Sequence, residues 1–355
     1  MGLEPHPAPP RPFPTDRPPV SVVVVNWNGI TYLPDCLGSI ARQSYPSLEI
    51  IVVDNGSTDG SVALLRAADG SRIHLIESPT NLGFAGGTNV GIRAAKGAYL
   101  ALLNNDAVAD AGWIDALIRA AEADPRVGMC ASKIYVRGQD GVLDSAGLLL
   151  SRDGIGRGRG RLERDDGRFS HEEEALVPSG CAALYRRAML DEIGLFDEDF
   201  FAYCEDTDLG LRGRLAGWTC RYVPDAVVFH KYSGSSAPYS PFKAFQVERN
   251  RIWVVVKCFP PGLIVASVGY TLARYLVQAY GALSGRGAAA GLAGQTSVWS
   301  MVAILLRAYR AAFARLPEMW RRRRQVQALG KVTPRQVRRW FQTHHLGLRE
   351  LALKD

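Results

Sequence analysis

The stretch from Ala98 to Asp106, AYLALLNND, constrains this chain more than any other: an uncharged run that follows Gly97 stops abruptly at Asn104, Asn105 and Asp106. A short apolar segment bounded by glycine and a polar cluster reads as a buried parallel strand. Side chains at the carboxyl end of such a strand are where open α/β sheets bind ligands. Asn-Asn-Asp also makes an ordinary strand-to-helix turn, so Asp106 needs company before it carries chemistry.

That company recurs along the chain. Val20 to Val25 is a valine-rich run without charge that ends at Asn26-Trp27-Asn28-Gly29, and Thr31 is placed to cap a helix carrying Leu33, Leu37 and Ile40 on one face. Leu48 to Val53 is a second buried strand, closed by Asp54-Asn55-Gly56-Ser57-Thr58-Asp59-Gly60, with Asp54 placed as Asp106 is. A carboxylate there accepts hydrogen bonds from a ribose hydroxyl or a base N–H. The helix N-cap role suits Asp59 better. Ile73 to Ile76 is a short third strand, followed by Asn81-Leu82-Gly83-Phe84-Ala85-Gly86-Gly87. Such glycines let backbone approach a ligand, and the helix behind points its positive end at it. The loop fits neither the P-loop nor the dinucleotide spacing, which counts against both of those classes.

Beyond Asp106 a helix carries Trp113, Leu117 and Ala121 in register, then Val127 to Ala131 forms a strand and Lys133 to Val136 an extended piece. Gly138 to Glu174 is polar and Gly/Arg-rich, including GIGRGRGR at 154–161, and reads as a loop or hairpin over the sheet. It lacks the interleaved aromatics of an RNA- or DNA-binding tract, so nucleic acid is not an expected partner. Pro178-Ser179-Gly180-Cys181 offers small residues to sit against a sugar. Glu205, Asp206 and Asp208 then open a helix that runs to Gly217-Trp218, where the macrodipole alone favours negative charge. Asp208 and Arg212 form a helix-surface ion pair on this reading. Glu205-Asp206, after an aromatic cluster, matches a partly buried carboxylate whose raised pKa suits a general base. Val227-Val228-Phe229 ends in His230, which alone would be structural but beside Asp106 becomes a second metal ligand.

A chain of 355 residues exceeds one ordinary domain. From Arg274 to Asp355 there are 15 Lys and Arg against 3 Asp and Glu, so the net +7 divides into +12 in that tail and −5 before it. The six cysteines are scattered without a C-x-x-C pair, which points to a reducing compartment. Residues 1–19 read as a disordered Pro-rich leader without a signal-peptide apolar core. Cys258 to Ala273 is uncharged but only 16 residues long, and Gly287 to Leu306 is diluted by Gly, Ser, Thr and Gln295. Both favour an interfacial helix over a span. Arg321 to Arg324, set beside Trp320, Trp340 and apolar stripes, read as an anchor on anionic lipid, with a solvated face as the plain alternative.

With these residues assembled, the chain resembles a family 2 glycosyltransferase of the rhamnosyltransferase-like bacterial branch. The resemblance lies in VVVVNWNG (22–29), VVDNGSTDGS (52–61), NLGFAGGTNVGI (81–92), LLNNDA (102–107), PSGCAALYRR (178–187), GLFDEDFFAYCEDTDLGLR (194–212), the segment from Trp218 to Pro224, and His230. It implies a GT-A fold over residues 20–250, a Rossmann-like, mostly parallel sheet flanked by helices. Residues 251–355 follow as a basic, amphipathic, helical membrane-association region.

It further implies that Asn26, Asn28, Asp54, Asn81, Gly83, Phe84, Gly86 and Asn105 line the nucleotide pocket. Asn104-Asn105-Asp106 falls where the family has a D-x-D-type motif, with only the last residue acidic. Metal then rests on Asp106 and His230, with Mg²⁺ or Mn²⁺ as the ion. Physical reasoning agrees: a bare carboxylate about 4 Å from a phosphate charge is repelled by about 4 kcal/mol at an effective dielectric near 20, so a cation belongs between them. Asp206 matches the general base and Glu205 its neighbour. The implied reaction is inverting transfer of a sugar, rhamnose foremost, from a dTDP- or UDP-linked donor to a polyprenyl-linked saccharide at the cytoplasmic face of the inner membrane. A sugar-phosphate nucleotidyltransferase would need cations in the loop after its first strand, where NWNG has none. A noncatalytic nucleotide- or glycan-binding module would not require both Asp106 and Glu205-Asp206.

Overall fold

The computed structural model describes residues 16–68, 73–231, 240–285, 290–291, 294 and 297–354. Strands β1 (Val20–Asn26), β2 (Leu48–Asp54), β3 (Ile73–Glu77) and β4 (Tyr99–Leu103) are parallel neighbours in the order β4-β1-β2-β3. Between them run α1 (Leu33–Ala41), α2 (Ser61–Ala68) and α3 (Gly83–Ala94). β1 shows why both faces must be covered: Val20, Val22 and Val24 enter one core with Leu33, Leu37 and Trp113, while Val23 enters the other with Ala85 and Ile92. Thr31 does not cap α1. The helix starts after Tyr32 with a proline in its first turn, where a ring that fixes φ and lacks an N–H costs nothing.

Past β4 the sheet is mixed. After β5 (Ala107–Ala109) and α4 (Trp113–Glu122), β6 (Val127–Val136) is one unbroken strand that joins the two extended pieces read from sequence. β7 (Leu143–Ser145) pairs with β6, and β8 (Leu148–Leu150) with β9 (Gly156–Gly158) makes a hairpin within the Gly/Arg-rich segment. β10 (Glu173–Ala175) lies at the edge on β12, and β11 (Ala182–Arg186) inserts antiparallel between β4 and β6. Helices α5 (Arg187–Ile193) and α6 (Glu205–Leu215) follow, and β12 (Thr219–His230) returns parallel to β6, with its register shifted between Val223 and Val227. That bulge brackets Pro224, which cannot donate to the ladder.

Helix α7 (Pro241–Cys258) crosses the expected boundary at residue 250 without a break. It packs with α6, α9 (Val298–Ala314), α10 (Leu316–Ala328) and α11 (Pro334–Thr343) around a third core holding Phe200, Leu211, Trp253, Phe259, Met319 and Phe341. α8 (Pro261–Leu283) and α12 (Leu348–Leu353) pack on each other. Each large apolar side chain buried here contributes roughly 1.5–3 kcal/mol, so these helices are part of one folded body with the sheet.

Two charge readings change accordingly. Asp208 is 0 % exposed beneath α7, where it takes Arg212 Nε at 2.9 Å and Lys257 Nζ at 2.7 Å, so the pair with Arg212 is an interior tie and not a surface one. Of the run 321–324, Arg323 is buried and caps α7 by donating to the carbonyls of Val256 (2.8 Å) and Phe259 (2.7 Å), while Arg322 pairs with Asp197 and Asp199. Only part of that run faces solvent. Among the described residues no helix is long and apolar enough to cross a membrane. Residues 1–15 of the leader, and 287–289, 292–293 and 295–296 of the segment 287–306, lie outside the described residues.

Candidate active site

The parallel register sets Asn26 directly opposite Asp54. Asn26 Nδ2 donates to Asp54 Oδ1 (2.9 Å) and to Ser57 Oγ (3.1 Å), while Asn105 Nδ2 donates to Asn26 Oδ1 (2.8 Å). Asp54 Oδ2 accepts from the Ser57 N–H at 2.9 Å. Asp54 is 1 % exposed with both oxygens engaged, so what the structure displays is a carboxylate that ties the strand ends of β1 and β2 together. Each oxygen keeps one lone pair that a ligand could share. Asn28, at φ +50°, ties the same loops from outside: its N–H donates to Ser57 Oγ (2.9 Å) and its Oδ1 accepts from the Thr58 N–H (2.8 Å). Asn81 Oδ1 accepts from the N–H of Gly83 (2.8 Å) and from Asn55 Nδ2 (3.1 Å), closing the turn into α3.

Opposite these strand ends stands the acidic loop. Phe201, Tyr203 and Cys204 all adopt left-handed φ (62°, 70° and 66°) immediately before Glu205. Such non-glycine residues cost of order 1–3 kcal/mol each and persist only when neighbours over-determine them. Here Asn250 of α7 does so, donating through Nδ2 to the carbonyls of Phe200 (2.9 Å), Ala202 (2.9 Å) and Tyr203 (2.7 Å). The Phe201 carbonyl also accepts from Ala85 N–H at 3.1 Å, an approach so close that a Cβ on Gly83 (φ +74°) would lie 2.4 Å from that oxygen. Glycine at 83 is thus required by the acidic loop and by its own backbone.

Asp206 Oδ2 accepts from the Gly180 N–H (3.0 Å), and Oδ1 accepts from the Thr207 N–H (2.6 Å) and hydroxyl (3.2 Å). Burial raises its pKa above the ordinary aspartate value, and those hydrogen bonds partly offset the rise. Glu205 is 6 % exposed, and its Oε2 has no hydrogen-bond partner among the described residues; burial first, then the neighbouring Asp206, pushes its pKa well above the ordinary glutamate value. Two adjacent buried carboxyls do not both ionise readily, and the three hydrogen bonds that Asp206 accepts from Gly180 and Thr207 favour the charge on Asp206 and the proton on Glu205.

Asp106 and His230 meet at the other wall. His230 Nε2 lies 3.2 Å from Asp106 Oδ1, yet that buried oxygen accepts no hydrogen bond from any described residue. His230 Nδ1 donates to Asp144 Oδ2 at 2.7 Å, which leaves Nε2 facing Asp106. Burial opposes charge on His230, but Cys181, Asp106 and Asp144 outweigh it and raise its pKa well above the ordinary value, so a cation bound at Nε2 would take the place of a proton there. An orphaned carboxylate oxygen beside an imidazole nitrogen, with the far ring nitrogen held by a second carboxylate, is a donor set that fits a divalent cation. Among the described residues no cluster of three or more His, Cys, Asp or Glu could hold one, so phosphate and water would complete the coordination.

A cavity of about 850 Å³ joins these walls and takes in Phe84, Asp106, Asp144, Glu205, Asp206 and His230. Asn26, Asn28, Asp54, Asn81, Gly83, Gly86 and Asn105 are outside its lining: Gly83 and Gly86 lie in the first turn of α3 and the others at the adjoining strand ends and loops. Asp144, Asn250 and the Gly180 N–H were not singled out for these roles by sequence. Asp144 lies in a segment without readable pattern, Asn250 in a helical run of ordinary polarity, and a backbone N–H leaves no mark on the sequence.

The sheet, parallel through β4-β1-β2-β3 and mixed beyond, gathers acids at its carboxyl edge, and residues 21–194 match the family model for glycosyl transferase family 2. The chain belongs to that family. Within it the chain is rhamnosyltransferase-like. It is 32 % identical over 240 residues to N-acetylglucosaminyl-diphospho-decaprenol L-rhamnosyltransferase of Mycobacterium tuberculosis, covering 61 % of this chain and 76 % of that protein. Pre-mycofactocin glycosyltransferase of the same organism is 28 % identical over 332 residues, 88 % of this chain and 66 % of that protein. Among solved structures, S. aureus TarS 1-349 in complex with UDP-GlcNAc superposes with a TM-score of 0.53 at 16 % identity, over 90 % of this chain and 92 % of that one. A mannosyltransferase from Pyrobaculum calidifontis in complex with GDP-Man and Mn²⁺ gives 0.50 at 22 % identity, over 90 % and 88 %. At those identities the likeness establishes the GT-A fold.

Proposed function

We propose that the protein transfers a sugar, rhamnose foremost, from a nucleoside diphosphate donor to a hydroxyl of a lipid-linked saccharide, with inversion at the anomeric carbon. The observation that carries this reading is the convergence of Asp206 with Asp106 and His230 on one cavity, from positions a hundred residues apart. The mycobacterial relative, whose acceptor is a diphospho-decaprenol saccharide by name, supports the acceptor class.

In this mechanism Asp206 receives the acceptor hydroxyl proton on a carboxylate held in place by Gly180 and Thr207. Glu205, kept neutral by burial, spares Asp206 a second adjacent charge. Asn26, Asn28, Asp54, Asn81, Gly83, Gly86 and Asn105 shape the nucleoside side, and Phe84 bridges it to the cavity. Asp106 and His230 would hold Mg²⁺ or Mn²⁺, which when bound neutralises charge on the diphosphate leaving group. The face of exposed apolar residues on α8 and α9, including Leu272, Leu276, Leu283, Trp299 and Leu306, supports attachment to a membrane surface, the cytoplasmic leaflet on this reading.

The test is transfer by purified full-length protein to polyprenyl-diphosphate N-acetylglucosamine, with dTDP-rhamnose and UDP-sugars compared with and without Mg²⁺ or Mn²⁺. Formation of a metal-dependent, inverted rhamnosyl product is the expected result. Absence of transfer from every donor would overturn the reading.

A further inference from the structure

The cavity that holds the carboxylates does not end at them. Its far wall is made by α8 and α9, where Ala279, Ala282, Met301, Ile304 and Leu305 give an apolar end beyond Arg274, Tyr275 and Gln278. Small residues at 279 and 282 keep that end open. The outer face of the same two helices carries exposed Leu276 (74 %) and Leu283 (91 %) on α8 and Trp299 (82 %) on α9. The apolar end of the cavity and the exposed apolar surface therefore belong to the same helix pair.

The position of α8 is fixed by charge. Arg274, 1 % exposed, donates to Asp153 (2.6 Å) and to both oxygens of Glu248 (2.7 and 3.0 Å), while Arg251 joins Glu248 at 2.7 Å and Tyr309 of α9 at 2.7 Å. This network ties α7, α8, α9 and the loop at 153 into one unit, and a Cβ on Gly154 would strike the Arg251 carbonyl at 2.6 Å. Breaking a buried, hydrogen-bonded ion cluster costs several kcal/mol, so the apolar wall is held rigidly against the catalytic wall. Arg157, Arg161, Lys243 and Lys354 line the same cavity, Arg161 beside Asp144 (3.6 Å), Lys354 on Glu163 (3.0 Å) and Arg157 on the carbonyls of Glu350 and Lys354 (2.8 Å each). Cations of this kind recognise a diphosphate.

Resting on the acceptor class proposed above, we infer that the α8–α9 end of the cavity is the binding site for the isoprenoid diphosphate portion of the acceptor. The basic side chains take the diphosphate, and the first isoprene units lie between Ala279, Ala282, Met301 and Ile304 on their way to the apolar face. Continuity with the catalytic carboxylates favours this occupant over a bulk phospholipid, because the same molecule must present its sugar hydroxyl to Asp206 while its hydrocarbon leaves the protein.

Two measurements test it on the full chain. In the first, geranylgeranyl diphosphate carrying a terminal diazirine is photolysed with the protein and the adducts are mapped by mass spectrometry. Adducts within 276–283 and 301–305, removed by excess unlabelled geranylgeranyl diphosphate and not by phosphatidylcholine vesicles, are expected. Adducts elsewhere, or equal competition by the vesicles, would overturn the site. In the second, Ala282→Trp, and Ala282→Leu as a milder filling should the first not fold, are assayed on an acceptor with a long prenyl chain and on a short-chain acceptor whose diphosphate carries only a methyl group. KM for the long-chain acceptor should rise by about tenfold, equivalent to about 1.4 kcal/mol, with KM for the donor and the short-chain acceptor unchanged. Equal effects on both acceptors, or none, would overturn it. Labelling at the site without transfer from any donor would instead defeat the function proposed above and leave the isoprenoid site standing.

Discussion

The two sides of the site are built in different ways. On the nucleoside side, three parallel strands end together, and Asn26, Asp54 and Asn105 bond one another across adjacent strand ends because the ladder register brings them there. On the acceptor side, Asp206 is held by Gly180, the loop before it is pinned by Asn250 from α7, and the far end is closed by helices that start beyond residue 260. The first wall follows from strand geometry. The second is assembled from contacts between distant segments, and it concentrates the strained backbone, with Phe201, Tyr203 and Cys204 left-handed against Asn28 on the first side, together with the adjacent buried acids Glu205 and Asp206. Rigidity on one side and stored strain on the other suit a site that grips a donor and must place a proton acceptor accurately.

The largest expected effect lies on the strained wall. Asp206→Asn should keep the fold and donor binding, read by melting and by nucleotide titration, while transfer drops by about 10²–10⁴, the range for loss of a general base. Unchanged turnover would remove Asp206 from the mechanism. Next comes the orienting carboxylate at the opposite wall: Asp144→Asn should weaken divalent-cation dependence of transfer by about 10–100-fold, as loss of a residue that aligns a metal-binding imidazole does. If the cation titration is unaltered, His230 is not a ligand oriented by Asp144.

Asn250→Ala frees three carbonyls and the left-handed residues they restrain, so kcat should fall with donor KM preserved, at a stability cost of about 1–3 kcal/mol. A change in donor KM alone would mean the two walls are not independent. The smallest effect is one of pH. Glu205 is protonated in both states below the ordinary glutamate range; above it the unfolded chain ionises while the folded protein keeps its proton. Its contribution is therefore present at low pH and lost as pH rises towards the elevated folded value. Glu205→Gln should flatten that loss and raise Tm at neutral pH; a Tm–pH profile parallel to that of the parent protein would contradict the neutral assignment.

Truncation after residue 257 is not a clean probe of membrane attachment, because it would uncover Trp253 and Asp208 together with the third core. The basic tail reads from its composition as a detachable anchor, yet Arg251, Arg274, Arg322 and Arg323 are spent on internal ties. Charge counting sees no partner for an arginine whose carboxylate or carbonyl lies dozens of residues away. Asp208–Arg212 misleads for the same reason: helical spacing predicts the pair, but only the packing of α7 decides that it is buried.

The chain by itself determined the α/β class, the strand ends where ligands meet the sheet, and the identities of Asp54, Asp106, Glu205-Asp206 and His230 as candidates. Those follow from local hydrophobic periodicity and from residue types at strand and helix termini, which are short-range properties. Tertiary structure decided which candidates face one another, which carboxyl of the acidic pair keeps the proton, that Asp54 ties loops together, and that the helical tail completes the cavity. Burial, desolvation and long-range hydrogen bonds set those outcomes, and none of them is a property of sequence neighbours.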